Sequence, residues 1–275
     1  MVDTDFTYIK TIVQERSAIQ LSPEKKYLVV SRLAPLVRQE GVADLAALVQ
    51  RLRQRPHTPL HAQVVDAMTT NETSFFRDHH PFQTLRTHII PALIARNRRT
   101  RRLSIWSNAC SSGQEAYSTA ILLREHFPEL KTWTIRILAT DISPSMLERC
   151  AEGRYSQLEV NRGMPIQLLL KYFDKQGTAW QVKPELRRMV EVRPLNLIER
   201  WPVLPKMDLI FLRNVLIYFD RPTKERILQR MEDVLHPEGV LMLGGAETIL
   251  NMKTAFEHHR EGRTLYYRRM NGRTA

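Results

Sequence analysis

Three polar turns beyond residue 100 have the residue types that could hold a nucleoside. The apolar run at 103–106 passes into Ser107-Asn108-Ala109-Cys110-Ser111-Ser112-Gly113-Gln114-Glu115 and then into a helical pattern. Small residues let a ligand approach the backbone closely, and a helix beginning just after them offers unpaired N–H groups. The run at 135–139 ends in Thr140-Asp141, and a carboxylate at a strand end can accept from both hydroxyls of a ribose. A third turn, Arg213-Asn214, follows the apolar residues 209–212; a buried asparagine there needs a hydrogen-bond partner. The first turn has one glycine where a dinucleotide fingerprint wants three, which argues against NAD or FAD. Nothing pairs His79 or His80 with a nucleophile. Cys110 and Cys150, the only two cysteines, lack zinc spacing, so neither a metal site nor a disulfide framework is expected.

The elements that must position these turns follow from periodicity. Short apolar runs at 103–106, 134–139, 207–211 and 240–243 alternate with helical patterns at 114–125, 145–151 and 223–235. That alternation predicts an α/β, doubly wound, Rossmann-like parallel sheet with helices on both faces. Residues 155–195 are less regular and read as an insertion: a helix at 165–173 and a small antiparallel β element from 180–182 and 189–192. The end reads as a hairpin about Glu261-Gly262. Before the sheet, residues 1–75 read as an all-helical N-terminal domain. Phe6, Ile9, Ile12 and Val13 have helical spacing, Ser22-Pro23 and Thr58-Pro59 mark helix starts, and Gly41 marks a stop. Pro35 is expected to kink or split its helix. The domains are thus 1–75 and 76–275, with the insertion in the second.

The chain has 275 residues, 43% of them hydrophobic and 25% charged, and a net charge of +12. This is the composition of a soluble globular protein. No apolar run reaches the roughly 18 residues of a membrane span, and the acidic N-terminus is unlike a secretory signal, so a cytoplasmic protein without membrane insertion is expected. The charge favours an anionic partner. Its densest run, Arg96-Asn97-Arg98-Arg99-Thr100-Arg101-Arg102, has no interleaved aromatic residue for base stacking and reads as a solvated connector.

Specific stretches go further. They are Thr69-Thr70-Asn71-Glu72-Thr73-Ser74-Phe75-Phe76-Arg77, Trp106-Ser107-Asn108-Ala109-Cys110-Ser111-Ser112-Gly113-Gln114-Glu115-Ala116-Tyr117-Ser118, Ala139-Thr140-Asp141-Ile142-Ser143, Gly153-Arg154-Tyr155, Asn196-Leu197 and Phe211-Leu212-Arg213-Asn214-Val215-Leu216-Ile217-Tyr218-Phe219-Asp220. Through them the chain resembles, along almost its whole length, the chemotaxis-receptor protein-glutamate methyltransferases of the CheR family. Ala116 departs from the family's usual proline and Leu212 from its common cysteine.

The resemblance implies an S-adenosylmethionine site formed by Asn71, Thr73, Arg77, Glu115, Asp141, Asn196, Leu197, Arg213 and Asn214, with S-adenosylhomocysteine as the product. Asp141 would take the ribose, Asn196 the adenine edge, Leu197 the adenine face and Glu115 the α-ammonium. Arg77 and Tyr218 are the candidates for catalytic roles, orienting the incoming glutamate and lining the transfer channel. The implied substrate is a glutamate on the cytoplasmic helices of a methyl-accepting chemoreceptor. Lys25, Lys26, Arg32 and Arg38, at spacings that could share a helix face, are the candidate docking residues. The chain is expected to act as a monomer, without nucleic acid. The loop at 174–180 is short, so binding of a receptor C-terminal pentapeptide is not expected. Two other readings stay open here: a nucleic-acid methyltransferase, and a cofactor-sensing module without turnover.

Overall fold

The computed structural model describes residues 2–55 and 58–270. Four helices come first: α1 (Asp3–Ser17), α2 (Lys26–Gln39), α3 (Leu45–Gln54) and α4 (Pro59–Met68). Their apolar stripes meet in one cluster that includes Ile9, Val13, Leu33, Leu48 and Val64. The Asp44 side chain caps α3 by accepting from the Ala47 N–H at 2.8 Å. Contrary to expectation, Pro35 does not split α2, which continues to Gln39. Pro35 lies in the last turns, and both it and Ser31, whose carbonyl loses its i+4 donor, are exposed. Water can therefore replace the missing bond.

The strands are β1 (Arg102–Asn108), β2 (Thr134–Asp141), β3 (Arg154–Ser156), β4 (Phe173–Gln176), β5 (Ala179–Val182), β6 (Val190–Pro194), β7 (Met207–Leu212), β8 (Leu235–Leu243), β9 (Phe256–Glu261) and β10 (Thr264–Arg269). Seven form a mixed sheet in the order β6-β2-β1-β7-β8-β10-β9, parallel from β6 to β8 and antiparallel beyond. The remaining helices are α5 (His80–Thr84), α6 (Ile90–Asn97), α7 (Gln114–His126), α8 (Pro144–Glu152), α9 (Gln157–Asn161), α10 (Ile166–Tyr172), α11 (Pro184–Arg187) and α12 (Arg221–Val234). Side chains alternate across the strands, so Ile105, Phe211 and Met242 pack with α7 on one face. Trp106, Ile210 and Leu241 pack with α12 on the other. Both faces are covered, as parallel sheets require. Among the described residues no helix is long and apolar enough to cross a membrane.

The insertion corrects one expectation. Residues 180–182 do enter a small antiparallel sheet, ordered β3-β5-β4. Residues 189–192 do not: β6 joins the large sheet parallel to β2, with Val190 and Val192 against its core.

One contact holds α2 to the segment that connects α4 to α5 (residues 69–79), and two more reach the loops after β6 and β7. Arg32 on α2 donates to the carbonyls of Met68 (2.8 Å) and Thr69 (2.9 Å) and to the Thr70 hydroxyl (3.1 Å). Asn196 donates to the Arg16 carbonyl at the end of α1 (2.7 Å), and the Gln20 N–H donates to the Tyr218 carbonyl (3.3 Å). Farther along the connecting segment, Phe75 is fully buried, edge-on to Tyr155 and Phe173.

Gly163, before α10, passes so close to this segment that a β-carbon there would sit 2.0 Å from the Phe75 carbonyl oxygen, and its φ is +94°. Gly163→Ala is therefore expected to destabilise the fold by more than about 2 kcal/mol, from left-handed strain plus overlap with backbone. The check is urea unfolding; a midpoint equal to wild type would show that the two segments separate at no cost.

Candidate cofactor cleft

In this strand order the chain reverses direction beside β1, and the strand ends there open into a crevice. A cleft of about 960 Å³, its open mouth included, lies at the C-terminal ends of β1, β2 and β7, beneath residues 69–77 and the end of α1. Asn71, Thr73 and Arg77 line it from the connecting segment, and Glu115 and Asp141 from the first two strand ends. Asn196, Leu197, Arg213, Asn214 and Tyr218 complete the wall.

Asp141 is buried at the end of β2. One oxygen accepts the Ser111 N–H at 2.8 Å and the other the Ser143 N–H at 2.9 Å. A carboxylate has about four acceptor positions, so acceptor capacity remains for a ligand. Burial pushes its pKa above the ordinary value, against the lowering effect of these N–H bonds. Glu115, in the first turn of α7, accepts from the Ser107 hydroxyl (2.7 Å) and from Arg213 (3.0 Å). Arg213 also donates to the Asp78 carboxylate (2.7 Å) and the Arg77 carbonyl (3.2 Å). Its guanidinium thus ties the end of β7 to the start of α7 and to the segment crossing above.

The loops around the cleft are strained. Phe76, Asp78, His79, Ala109, Ser111 and Asn214 all have φ between +48° and +69°, at a cost of about 1–2 kcal/mol for an ordinary L-residue. The surrounding bonds hold them there. The Phe76 N–H reaches the Ser118 hydroxyl at 2.9 Å, Ser111 reaches Asp141, and Asp78 is held by Arg213.

Some expected residues are placed differently. Asn196 reaches the rim, but its amide donates to Arg16 and Glu199 while accepting from the Ile198 N–H. It is a tether rather than a free base-reading edge. The basic residues at and just before α2 do not make one open face. Arg32 turns inward to residues 68–70 and Lys26 pairs with Asp3, leaving Lys25 and Arg38 exposed. Cys110 lines the cleft, but the contact of its thiol with Cys150 and its burial hold its pKa well above the ordinary value, which disfavours the thiolate.

Sequence reasoning missed Glu247. Its buried carboxylate accepts four backbone N–H groups: Asn214 and Gly244 at 2.7 Å on one oxygen, Val215 at 2.9 Å and Leu216 at 2.7 Å on the other. It holds the loop after β7 in shape, Asn214 included. A signal was present in Gly244-Gly245-Ala246-Glu247, another small-residue turn ending in a carboxylate after an apolar strand.

Residues 71–264 match the family described as "CheR methyltransferase, SAM binding domain", and residues 4–69 match "CheR methyltransferase, all-alpha domain". The chain belongs to the CheR family. It is 44% identical over 250 residues to "Chemotaxis protein methyltransferase Cher2" of Pseudomonas putida, covering 89% of this chain and 90% of that protein. It is 42% identical over 260 residues to "Chemotaxis protein methyltransferase 1" of Pseudomonas aeruginosa, covering 93% and 94%. As a CheR methyltransferase it uses S-adenosylmethionine. The residues present fit that molecule: Asp141 offers spare acceptor capacity, and two buried donors on the wall, Asn108 Nδ2 and Arg213 Nε, have no partner among the described residues.

Glu247→Gln would turn an –NH2 group toward backbone N–H donors. It is expected to cost about 1–3 kcal/mol of stability and to weaken S-adenosylhomocysteine binding about tenfold, with unchanged far-ultraviolet circular dichroism. Urea unfolding and calorimetry measure both; wild-type values in each would strip Glu247 of this role.

Proposed function

We propose that this CheR methyltransferase works in the cytoplasm, esterifying glutamate side chains on chemoreceptor signalling helices to give glutamyl methyl esters and S-adenosylhomocysteine. The observation that carries the reading is the lack of a poised general base among the described lining residues. No histidine lines the cleft among the described residues. Glu115 is held by Ser107 and Arg213 and Asp141 by two N–H groups, while Glu72 makes an exposed pair with Arg162 at the rim. An acceptor must therefore arrive already nucleophilic. A glutamate, with a pKa of about 4.3, is ionised at neutral pH and needs no deprotonation. The names of the relatives, chemotaxis protein methyltransferases, support the same reading.

The cofactor supplies a methyl group on a sulfonium, open to in-line displacement. The chain's own residues align and enclose. Asp141 accepts from the ribose hydroxyls, Glu115 from the α-ammonium, and Leu197 packs on the adenine, kept in place by the Asn196 tether. Asn71, Thr73 and Asn214 offer side chains not engaged with other described residues. Arg77, anchored through the Glu72 carbonyl at 2.9 Å, keeps further donors to orient the incoming glutamate, and Tyr218 lines the channel. Alignment of this kind contributes up to roughly 7–11 kcal/mol of barrier lowering.

The protein's +12 charge suits acidic receptor helices, and with Arg32 committed elsewhere, Lys25 and Arg38 are the docking residues that remain. β4 and β5 are joined by Gly177 and Thr178 alone, and the proposal includes no grip on a receptor C-terminal pentapeptide.

Incubation with methyl-labelled cofactor and receptor-containing membranes should give label that leaves as methanol in base. Base-stable label, as on nitrogen or a nucleobase, would sink the reading. Separately, the double substitution Lys25→Glu with Arg38→Glu should slow receptor methylation several-fold at low salt, while S-adenosylhomocysteine affinity stays at the wild-type value. Unchanged methylation rates would remove α2 from docking.

A further inference from the structure

Asn108 closes β1 and lines the cleft, yet its amide nitrogen has no hydrogen-bond partner among the described residues. The residue is 2% exposed, so bulk water does not satisfy the donor. Such a group is costly, and in a native site it points to a missing acceptor.

The orientation of the amide is fixed by its neighbours. The Trp106 indole can only donate, and it donates to the Thr140 hydroxyl at 2.9 Å. The Thr140 hydrogen then goes to Asn108 Oδ1, 3.3 Å away. Asn108 and Thr140 are paired across the β1–β2 ladder, so the relay is built into the sheet. Its polarity turns the amide oxygen toward β2 and leaves the –NH2 as the end in want of an acceptor.

On its other side Asn108 is in register with Leu212 of β7. The next residue, Arg213, holds the second orphaned donor, its Nε. From β2 to β7 the strand ends therefore present an acceptor and two unpartnered donors: Asp141, then Asn108 Nδ2 and Arg213 Nε. S-adenosylmethionine has the complementary order, a ribose diol that donates and, beyond the sulfur, a carboxylate that accepts.

We infer that Asn108 donates to the α-carboxylate at the amino-acid end of the cofactor and, with Arg213, selects ligands that carry it. The inference rests on the reading that places the ribose at Asp141.

Calorimetry with S-adenosylhomocysteine and with 5′-methylthioadenosine, which lacks the amino-acid end, tests it. Asn108→Ala should weaken S-adenosylhomocysteine binding about tenfold and leave methylthioadenosine binding unchanged. Asn108→Asp is near-isosteric and keeps the Thr140 bond, but it sets a carboxylate against a carboxylate. It should weaken S-adenosylhomocysteine about a hundredfold, again sparing methylthioadenosine. Without ligand, Asn108→Ala should melt close to wild type, because losing the unsatisfied donor offsets losing the long 3.3 Å bond from Thr140. Wild-type S-adenosylhomocysteine affinity in Asn108→Asp would overturn the inference. So would equal losses for both ligands, which would mark a ribose contact or a general structural role. Failure of the wild type to bind S-adenosylhomocysteine at all is a different result and would discard the cleft assignment itself.

Discussion

The cleft depends on one buried guanidinium. Arg213 is fixed to Glu115 and Asp78, and these partners begin a helix and lie in the connecting segment, while Arg213 itself follows a strand. Three separate parts of the chain thus meet at one charge. Burying that charge is tolerable only with such pairing, and the loss of one partner would leave an uncompensated ion in a dry site. The arrangement explains why backbone strain can accumulate nearby. Asp78 and His79 hold left-handed conformations because the ion pair anchors the segment carrying them. Glu247 does the same for Asn214 on the neighbouring loop, using a carboxylate and four amides.

This economy also shapes the chemistry. Acidic groups that might otherwise act as bases are spent on architecture, and the cleft becomes a place for alignment rather than proton transfer. Glu115 illustrates the division. It is a scaffold through Arg213 and Ser107 and a candidate cofactor contact through what remains of its acceptor capacity.

What could be read from sequence follows from the range of the interactions. The turn at 107–115 and Asp141 were legible because an apolar run ending in polar or small residues is a local signal. Asn71, Thr73, Arg77, Asn196 and Leu197 entered only through the family resemblance, since nothing in their own neighbourhood marks them. β6 was assigned to the wrong sheet for a physical reason. As an edge strand it leaves Glu191 half-buried and Arg193 exposed, and its alternation therefore imitates a one-sided antiparallel strand. Arg32 looked like part of an open basic face because helical spacing says nothing about carbonyls 36 and 37 residues away. Glu247 was missed because its value lies in amides that converge only after folding.

The tether between Asn196 and the end of α1 spans 180 residues of sequence. During synthesis at about 5–20 residues per second, the first helix therefore waits roughly 10–40 seconds for its counterpart to emerge. The helical bundle can bury its own apolar cluster in that interval, but its seam toward the sheet stays open. The cleft is consequently among the last parts of the molecule to form. A ligand bridging the connecting segment and the strand ends would favour the completed state by mass action, so the nascent enzyme would be stabilised by the cofactor it is about to use.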